Sequence, residues 1–466
     1  MANIGDQFPL ARNAFYYVLG PEDPSDNGTF GTQILPANDA AETSGGTFTV
    51  THAVAPLNCT MGFEQERNFT DTAQGTRARI KDNIITGKLS ATWELETYLD
   101  VSDGASLRGP DIHRLLKAAI GDSTTEDGGS PARDTVFQPA TSGNALDSLN
   151  IVRVVPDTFS ETVFGACVET MALNMTSGDP ITVRFSGSAY NHILTGIATA
   201  KAGENYSGLT TDDAIECDPK IDLYQLQPKT TDYAGSANGA ASLWAWKEDE
   251  TGSGGYNWNK FSKVSTYSDE DGGDFKNSTI RVGPNDTGPA GSELRMVPFF
   301  PGGGATFNTK KPISSTQGTV TITPYDSDDT TGSHSAITDA PITSLEINLN
   351  NGIKKIDNQA FSASSMDGFI PGFRDVTGTL SLRVKTSIDG ILLYRRELFR
   401  RCKVEVKLGD TDANYVQIDM EYVEFEPSSF EASGQDEMTL SMPFKSMVKD
   451  TSATEVVKDL VISWKT

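Results

Sequence analysis

Four histidines, four cysteines and a few carboxylate clusters are the residues of this chain best equipped for chemistry, and their spacing limits what they can do. His52, His113, His192 and His334 stand apart; none forms an HExxH pair or neighbours a nucleophile motif. His113 falls on the polar side of a helical pattern, where a solvated ring is expected. The sequence has no GxSxG elbow, no Walker loop and no dinucleotide fingerprint ahead of a helix. Gly302-Gly303-Gly304 follows Phe299-Phe300-Pro301 without a helical pattern behind it, so it reads as a loop and not as a phosphate cradle. Cys59, Cys167, Cys217 and Cys402 are singletons without zinc spacing, expected to be reduced and partly buried in a protein folded in cytosol.

The carboxylates lead no further. Asp269-Glu270-Asp271 with Asp274, and Asp326 with Asp328-Asp329, could ligate Ca²⁺ only outside the spacing of an EF-hand or a nonapeptide repeat, so they read as solvated loops. Glu94 and Glu96 alternate on one strand and share a face with Ser90 and Thr92. Paired carboxylates do acid–base work in glycosidases, but on a wet face without aromatic or His company they keep a surface hydrated and negative. Trp244, Trp246, Tyr256 and Trp258 form the one aromatic cluster suited to sugar stacking, and packing against the rest of the protein is the simpler role. Arg395, Arg396, Arg400, Arg401, Lys403 and Lys407 form the one basic cluster, suited to docking an acidic neighbour of the same protein. No enzymatic activity, cofactor or metal is expected.

Charge and composition set the frame for these residues. With 38 Lys and Arg against 63 Asp and Glu, the formal charge is −25, which repels phosphate at long range and argues against gripping nucleic acid. A length of 466 residues allows about three domains at roughly 150 residues each. The 43 Gly and 22 Pro point to many turns and little continuous helix. No run of about 18 apolar residues is present to span a membrane. Met1-Ala2-Asn3-Ile4-Gly5-Asp6 has neither the basic start nor the apolar stretch of a secretory signal, and the seven N-x-S/T triplets are attributed to chance in a Ser- and Thr-rich chain.

The elements that position these residues alternate with period two. Phe15 to Leu19 is a short aromatic strand; Thr47 to Ala53 sets Phe48 and Val50 against Thr47, Thr49 and Thr51. In Lys88 to Leu99, Leu89, Ala91, Trp93, Leu95 and Leu99 oppose Ser90, Thr92, Glu94 and Glu96. Met171, Leu173 and Met175 precede a Ser177-Gly178-Asp179 turn, and Ile181, Val183 and Phe185 follow it. One helix interrupts them: Pro110 at its first position, Asp111 on the dipole, Ile112, Leu115, Leu116, Ala119 and Ile120 as its stripe, and Gly121 just past its end.

The C-terminal part repeats the scheme. Leu345, Ile347 and Leu349 alternate with Glu346, Asn348 and Asn350; Leu380, Leu382 and Val384 alternate with Ser381, Arg383 and Lys385. A helix is predicted from about Gly390 to Arg401, and strands at Val404–Leu408, Tyr415–Phe425 and Met438–Phe444. Thr86-Gly87-Lys88-Leu89-Ser90 answers to Thr377-Gly378-Thr379-Leu380-Ser381, and the shared element order predicts a duplication with internal pseudo-symmetry. The expected organisation is a mainly β chain. Its parts are a first antiparallel β-sandwich domain over 1–205, a loop-rich insertion with the opening strands of the second copy over 206–340, and the rest of that copy over 341–466. Each domain is expected to be flanked by an α-helix.

Several of these segments resemble one family. Ala11-Arg12-Asn13-Ala14-Phe15-Tyr16-Tyr17-Val18, then Trp93-Glu94-Leu95-Glu96-Thr97-Tyr98-Leu99 with the Pro-started helix, are similar to the tail tube proteins of long-tailed phages. So are Ile370-Pro371-Gly372-Phe373-Arg374-Asp375-Val376-Thr377-Gly378-Thr379-Leu380, Val416–Phe425 and the Ser433-Gly434-Gln435-Asp436 turn. The chain resembles siphophage major tail tube proteins of the type that fuses two tube domains, and the resemblance leaves the middle insertion and the extreme C-terminus unmatched.

The resemblance implies a virion structural subunit, made in the host bacterial cytoplasm and placed in the tail. It implies homotrimeric, pseudo-hexameric rings stacked head to tail around a channel that conducts DNA during ejection of the genome into the host cell. Its implied partners are further copies of itself, a tape-measure protein and tail-initiation or baseplate proteins, with viral DNA passing unbound and no membrane. On that reading the lumen-facing candidates are Thr49, Thr51, Ser90, Thr92, Glu94, Glu96, Thr182, Glu346, Asn348, Thr439 and Ser441. Arg184, Arg383 and Lys385 share those faces, either paired with carboxylates or because the face is inverted in the second copy. Arg395, Arg396, Arg400 and Arg401 are the candidates for contacts between subunits or rings. The alternative is a surface or secreted β-rich adhesin or carbohydrate-binding module, which would need an export signal and no duplication.

Overall fold

The computed structural model describes residues 14–19, 43–44, 47–48, 53–69, 84–100, 112–127, 133–139, 146–155, 159–196, 199–200, 214–218, 245–251, 255–260, 264–268, 279–282, 294–296, 312–325, 336–338, 340–356, 368–383, 401–409, 415–426, 430–431, 438–448 and 459–465. In chain order the first half contributes β1 (Phe15–Leu19), β2 (Pro56–Phe69), β3 (Ile84–Tyr98), α1 (His113–Ile120), β4 (Leu149–Val155), β5 (Phe159–Ala166), β6 (Thr170–Thr176), β7 (Thr182–Ala189) and β8 (Asn191–Gly196). The second half contributes β9 (Gly318–Pro324), β10 (Ile342–Asn350), β11 (Asp375–Arg383), β12 (Arg401–Gly409), β13 (Tyr415–Phe425), β14 (Phe430–Glu431), β15 (Thr439–Met447) and β16 (Val461–Lys465).

The strand pairing repeats itself. In the first half, β2-β3-β7-β6 lie side by side, and in the second half β10-β11-β15-β14 do so. A second run reads β8-β5-β4-β1 in the first half and β16-β13-β12-β9 in the second. The two halves do not stand apart, because β6 pairs antiparallel with β10 and so fuses the first four-strand run to the second in one 14-stranded sheet. Met171, Leu173 and Met175 of β6 lie opposite Leu349, Ile347 and Leu345 of β10, and all six are buried. Burying each such side chain is worth about 1.5–3 kcal/mol, so the junction is a core and not a seam.

Period two explains the strands. In β3, Ala91, Trp93 and Leu95 are buried while Thr92 is exposed and Glu94 and Glu96 are half-buried. Thr97 breaks the polarity rule: it sits on the core side, buried, and satisfies its hydroxyl by donating to the Ala55 carbonyl at 3.0 Å. In β12, Cys402, Val404, Val406 and Leu408 are buried in alternation with Lys403, Glu405 and Lys407.

Helix α1 packs Leu115, Leu116, Ala118, Ala119 and Ile120 into the core. It starts at His113 with Ile112 at the cap position, and Pro110 and Asp111 lie outside the described residues. Gly121 closes it at φ 123°, with its N–H on the Lys117 carbonyl at 2.8 Å. His113 is not the solvated ring expected: it meets the Phe137 ring edge-on at 4.9 Å, and burial lowers its pKa to about 4. The cause is that α1 is covered on this side by the hairpin Asp122–Asp127 and Arg133–Gln138, an element the sequence reading lacked.

Two further expectations change. Arg401 opens strand β12 and does not end a helix, and residues 384–400, which include the rest of the predicted second helix and Lys385, lie outside the described residues. The stretch expected to be mainly loops carries a seven-stranded antiparallel sheet between Thr199 and Met296. The strand candidates that alternation offers there, Phe261–Tyr267, Thr279–Val282 and Thr319–Tyr325, coincide with strands Val264–Ser268, Thr279–Val282 and β9.

Candidate functional site

The polar face of the 14-stranded sheet gathers most of the residues singled out above. Register alone groups them, since residues opposite one another in antiparallel strands share a face. Glu96 lies opposite Arg184, Glu94 opposite Ser186 and Thr92 opposite Ser188. Thr182 lies opposite Asn174, and Asn174 opposite Glu346 across the fused junction. Asn348 lies opposite Ala172 and Thr377; Ser441 lies opposite Ser381, and Thr439 opposite Arg383. Ser90 belongs to the same alternation at half burial. Thr49 and Thr51 lie outside the described residues.

Hydroxyls and amides dominate this face, and two of its cations, Arg184 and Lys445, are held by carboxylates. The Arg184 guanidinium donates to Glu94 Oε2 at 2.6 Å, and that hydrogen bond, with the charges of Glu94 and Glu96, raises its pKa. Lys445 Nζ sits 2.5 Å from Asp375 Oδ1. Asn348 Nδ2 donates to Glu346 Oε1 at 2.8 Å. Arg184 thus shares the face as a carboxylate partner, and Arg383 shares it opposite Thr439. A row of paired charges and hydroxyls offers no stripe of cations to a phosphate backbone.

The basic cluster splits. Arg395, Arg396 and Arg400 lie outside the described residues. Exposed Arg401 stacks 5.9 Å from the centre of the Tyr422 ring, Lys407 5.3 Å from that of Tyr415, and Lys403 pairs with Glu405 at 3.3 Å.

Other constellations are structural. Glu161 is buried between Arg153 Nη2 and His192 Nε2, the latter at 2.6 Å, with the Phe63 ring stacked on the imidazole at 5.7 Å. Cross-strand spacing on β4, β5 and β8 brings these charges together, and single-strand alternation gave no sign of it. Burial pushes the thiols of Cys59 and Cys402 up to about 12, which keeps them protonated and unreactive at neutral pH. Cys167 is also buried. Among the described residues no group of three or more His, Cys, Asp or Glu is placed to hold a metal. Among them, too, no helix is long and apolar enough to cross a membrane.

The outer strand β2 is the remaining feature of the site. Among the described residues it pairs with β3 alone, and Leu57 and Phe63 are exposed along it while Cys59 and Met61 pack partly against the core. A long edge strand with exposed apolar residues is a template for pairing with another chain.

A repeated β framework, a polar sheet face and an edge strand with exposed apolar residues are the features of a subunit that assembles with copies of itself. Residues 233–446 match the family model described as phage tail tube protein, which takes in the second half and stops short of β16. That match supports a structural subunit of a tail tube. No curated protein sequence matches the chain. Among solved structures it is similar to the SPP1 tail tube at 11% identity and a TM-score of 0.23, over 33% of this chain and 79% of that one. It is also similar to the tail of an empty GTA particle solved with C6 symmetry, at 14% identity and a TM-score of 0.20, over 30% and 94%. Neither structural likeness is close enough to bear weight.

Proposed function

We propose that the chain is a two-unit subunit of a siphophage tail tube, in which three chains close a ring of six tube units and rings stack head to tail around a DNA channel. The observation that carries this reading is the β6–β10 junction. It joins the last strand of one four-strand run to the first strand of the next. The same operation applied once more sets β2 of a second chain beside β14 of the first. Each chain therefore has one internal junction and two unlike outer edges, which is the requirement for a closed head-to-tail ring. Closure also removes the exposed edge of β2.

In that ring the polar face lines the bore. Its paired charges and hydroxyls let a phosphate backbone slide past without a site at which to lodge, and the −25 charge of the chain keeps DNA from condensing on the wall. The seven-stranded sheet lies away from both repeated runs in the pairing and serves as an outward appendage. The partners are further copies of the chain, a tape-measure protein that sets tail length, and the proteins that initiate the tail. The chain performs no reaction.

The test of the channel role is charge reversal on the face. Glu94→Lys with Glu96→Lys is expected to leave particles assembled while slowing DNA ejection, because Arg184 is then joined by two further cations. Assembled particles that eject DNA at the unaltered rate would contradict the assignment of this face to the bore.

A further inference from the structure

The two ends of the 14-stranded sheet are unlike, and one carries a fully presented aromatic ring. The loop that joins β10 to β11 holds a short two-stranded ribbon, Lys354–Ile356 with Gly368–Ile370, followed by Pro371-Gly372-Phe373. Phe373 is 98% exposed and Ile370 55%. Exposed Lys354 and Lys355 lie opposite Ile370 and Phe369 in the ribbon, so this end is apolar and basic.

Phe373 does not hang on a slack loop. Gly352, at φ +56°, and Gly372 pass so closely that a Cβ on Gly372 would stand 2.3 Å from the Gly352 carbonyl oxygen. The Gly372 N–H donates to the Asn351 carbonyl at 3.1 Å. The next residue, Arg374, donates to the Ile120 carbonyl at 2.7 Å and pairs with Asp459 at 3.0 Å. Among the described residues nothing covers this Phe on its fixed base, and exposed apolar points of this kind mark contact sites.

At the other end of the same sheet, where β3 finishes and β15 begins, Tyr98 is 36% and Met438 44% exposed. Exposed Asp179 lies in the β6–β7 turn just before Thr182, the partner of Tyr98, so the Tyr98 corner is apolar and acidic, while Met438 lies five strands away beside exposed Arg383. We propose that Phe373 with Lys354 and Lys355 is the contact by which one ring docks on Tyr98 and Asp179 of a second copy in the next ring. This rests on the tube reading above and names the residues that stack it. Unlike, complementary ends build an open-ended polymer and not a closed pair.

The experiment uses the purified full chain and two variants, one for each end: Phe373→Asp, and Tyr98→Lys with Asp179→Lys. All three residues are exposed, and each variant is checked for rings by native mass spectrometry. Each variant alone is expected to form rings but about tenfold less sedimenting tube or lower still, as loss of a central aromatic anchor does. Mixed together, preformed rings of the two variants are expected to give ring pairs and nothing longer, since one sound end of each remains. Phe373→Asp tubes of normal yield and length would overturn the stacking contact while leaving the ring reading standing. A wild-type chain that forms neither rings nor tubes would overturn the ring reading itself.

Discussion

Asn351 of the second half donates from Nδ2 to the carbonyl of Ala119 in the first half, 232 positions away, at 2.9 Å. The same nitrogen donates to the Val168 carbonyl at 2.9 Å, and Arg374 donates to the neighbouring Ile120 carbonyl. The last turn of α1 is thus satisfied by side chains from the next unit, which fixes the angle at which the two halves meet.

Asn351→Ala is therefore expected to cost about 2–4 kcal/mol, because it leaves two buried carbonyls without donors. Arg374→Met strands the buried Asp459 carboxyl, which burial already holds above the usual carboxylate range, and is expected to cost about 3–5 kcal/mol. Denaturant unfolding of the full chain measures both. Losses below about 1 kcal/mol would mean that the halves are not tied through α1.

Gly187 is expected to tolerate no side chain. A Cβ there would stand 2.0 Å from the Cys167 carbonyl oxygen, where the link between β5 and β6 crosses β7. Gly187→Ala should lower stability by about 3 kcal/mol or more, as strained overpacking does. Gly178→Ala, at φ +91° in a turn with open space around it, should cost only about 1 kcal/mol. Equal midpoint shifts for the two variants would contradict the crossing.

His113 makes stability depend on pH. Its folded pKa, about 4, lies below the ordinary histidine value of 6.5, chiefly through burial and then through Arg114 and Lys117. Between those values the unfolded chain binds the proton and the folded chain does not, so this contribution is lost as pH falls from 6.5 towards 4. From pH 7 to pH 5 the loss should be about 2 kcal/mol, and His113→Gln should remove that part of the slope. An unchanged slope in the variant would assign the pH dependence elsewhere.

The Arg184–Glu94 pair is expected to matter little for stability despite its 2.6 Å contact, since half of the Arg184 side chain is exposed. Arg184→Ala should shift the unfolding free energy by less than about 1 kcal/mol. A larger loss would mean that the face is closed to water in the single chain.

Much of this was legible in the sequence because period two survives wherever one sheet face is wet. β3, β6, β7, β10, β11 and β13 lie where alternation set them, and the polar residues from Thr92 to Ser441 share a face. Contacts between distant segments left no local trace. Trp464 packs on Phe137 at 5.5 Å and donates to the Asp100 carbonyl at 3.0 Å, yet nothing near any of the three positions signals the others. β16 is buried along Val461, Ile462, Ser463 and Trp464, so it lacks the alternation that marks a half-wet strand. His113 was misread for a related reason: its own helix makes that side polar, and the hairpin covering it lies further along the chain.

The central claim is that unlike sheet edges close chains into rings, and cryo-electron microscopy of the purified full chain over a concentration series tests it most directly. The expected result is hollow rings and stacks of rings, three chains to a ring, with β2 of each chain paired beside β14 of its neighbour. Chains that stay single throughout the series, or rings whose β2 edge faces solvent, would contradict it.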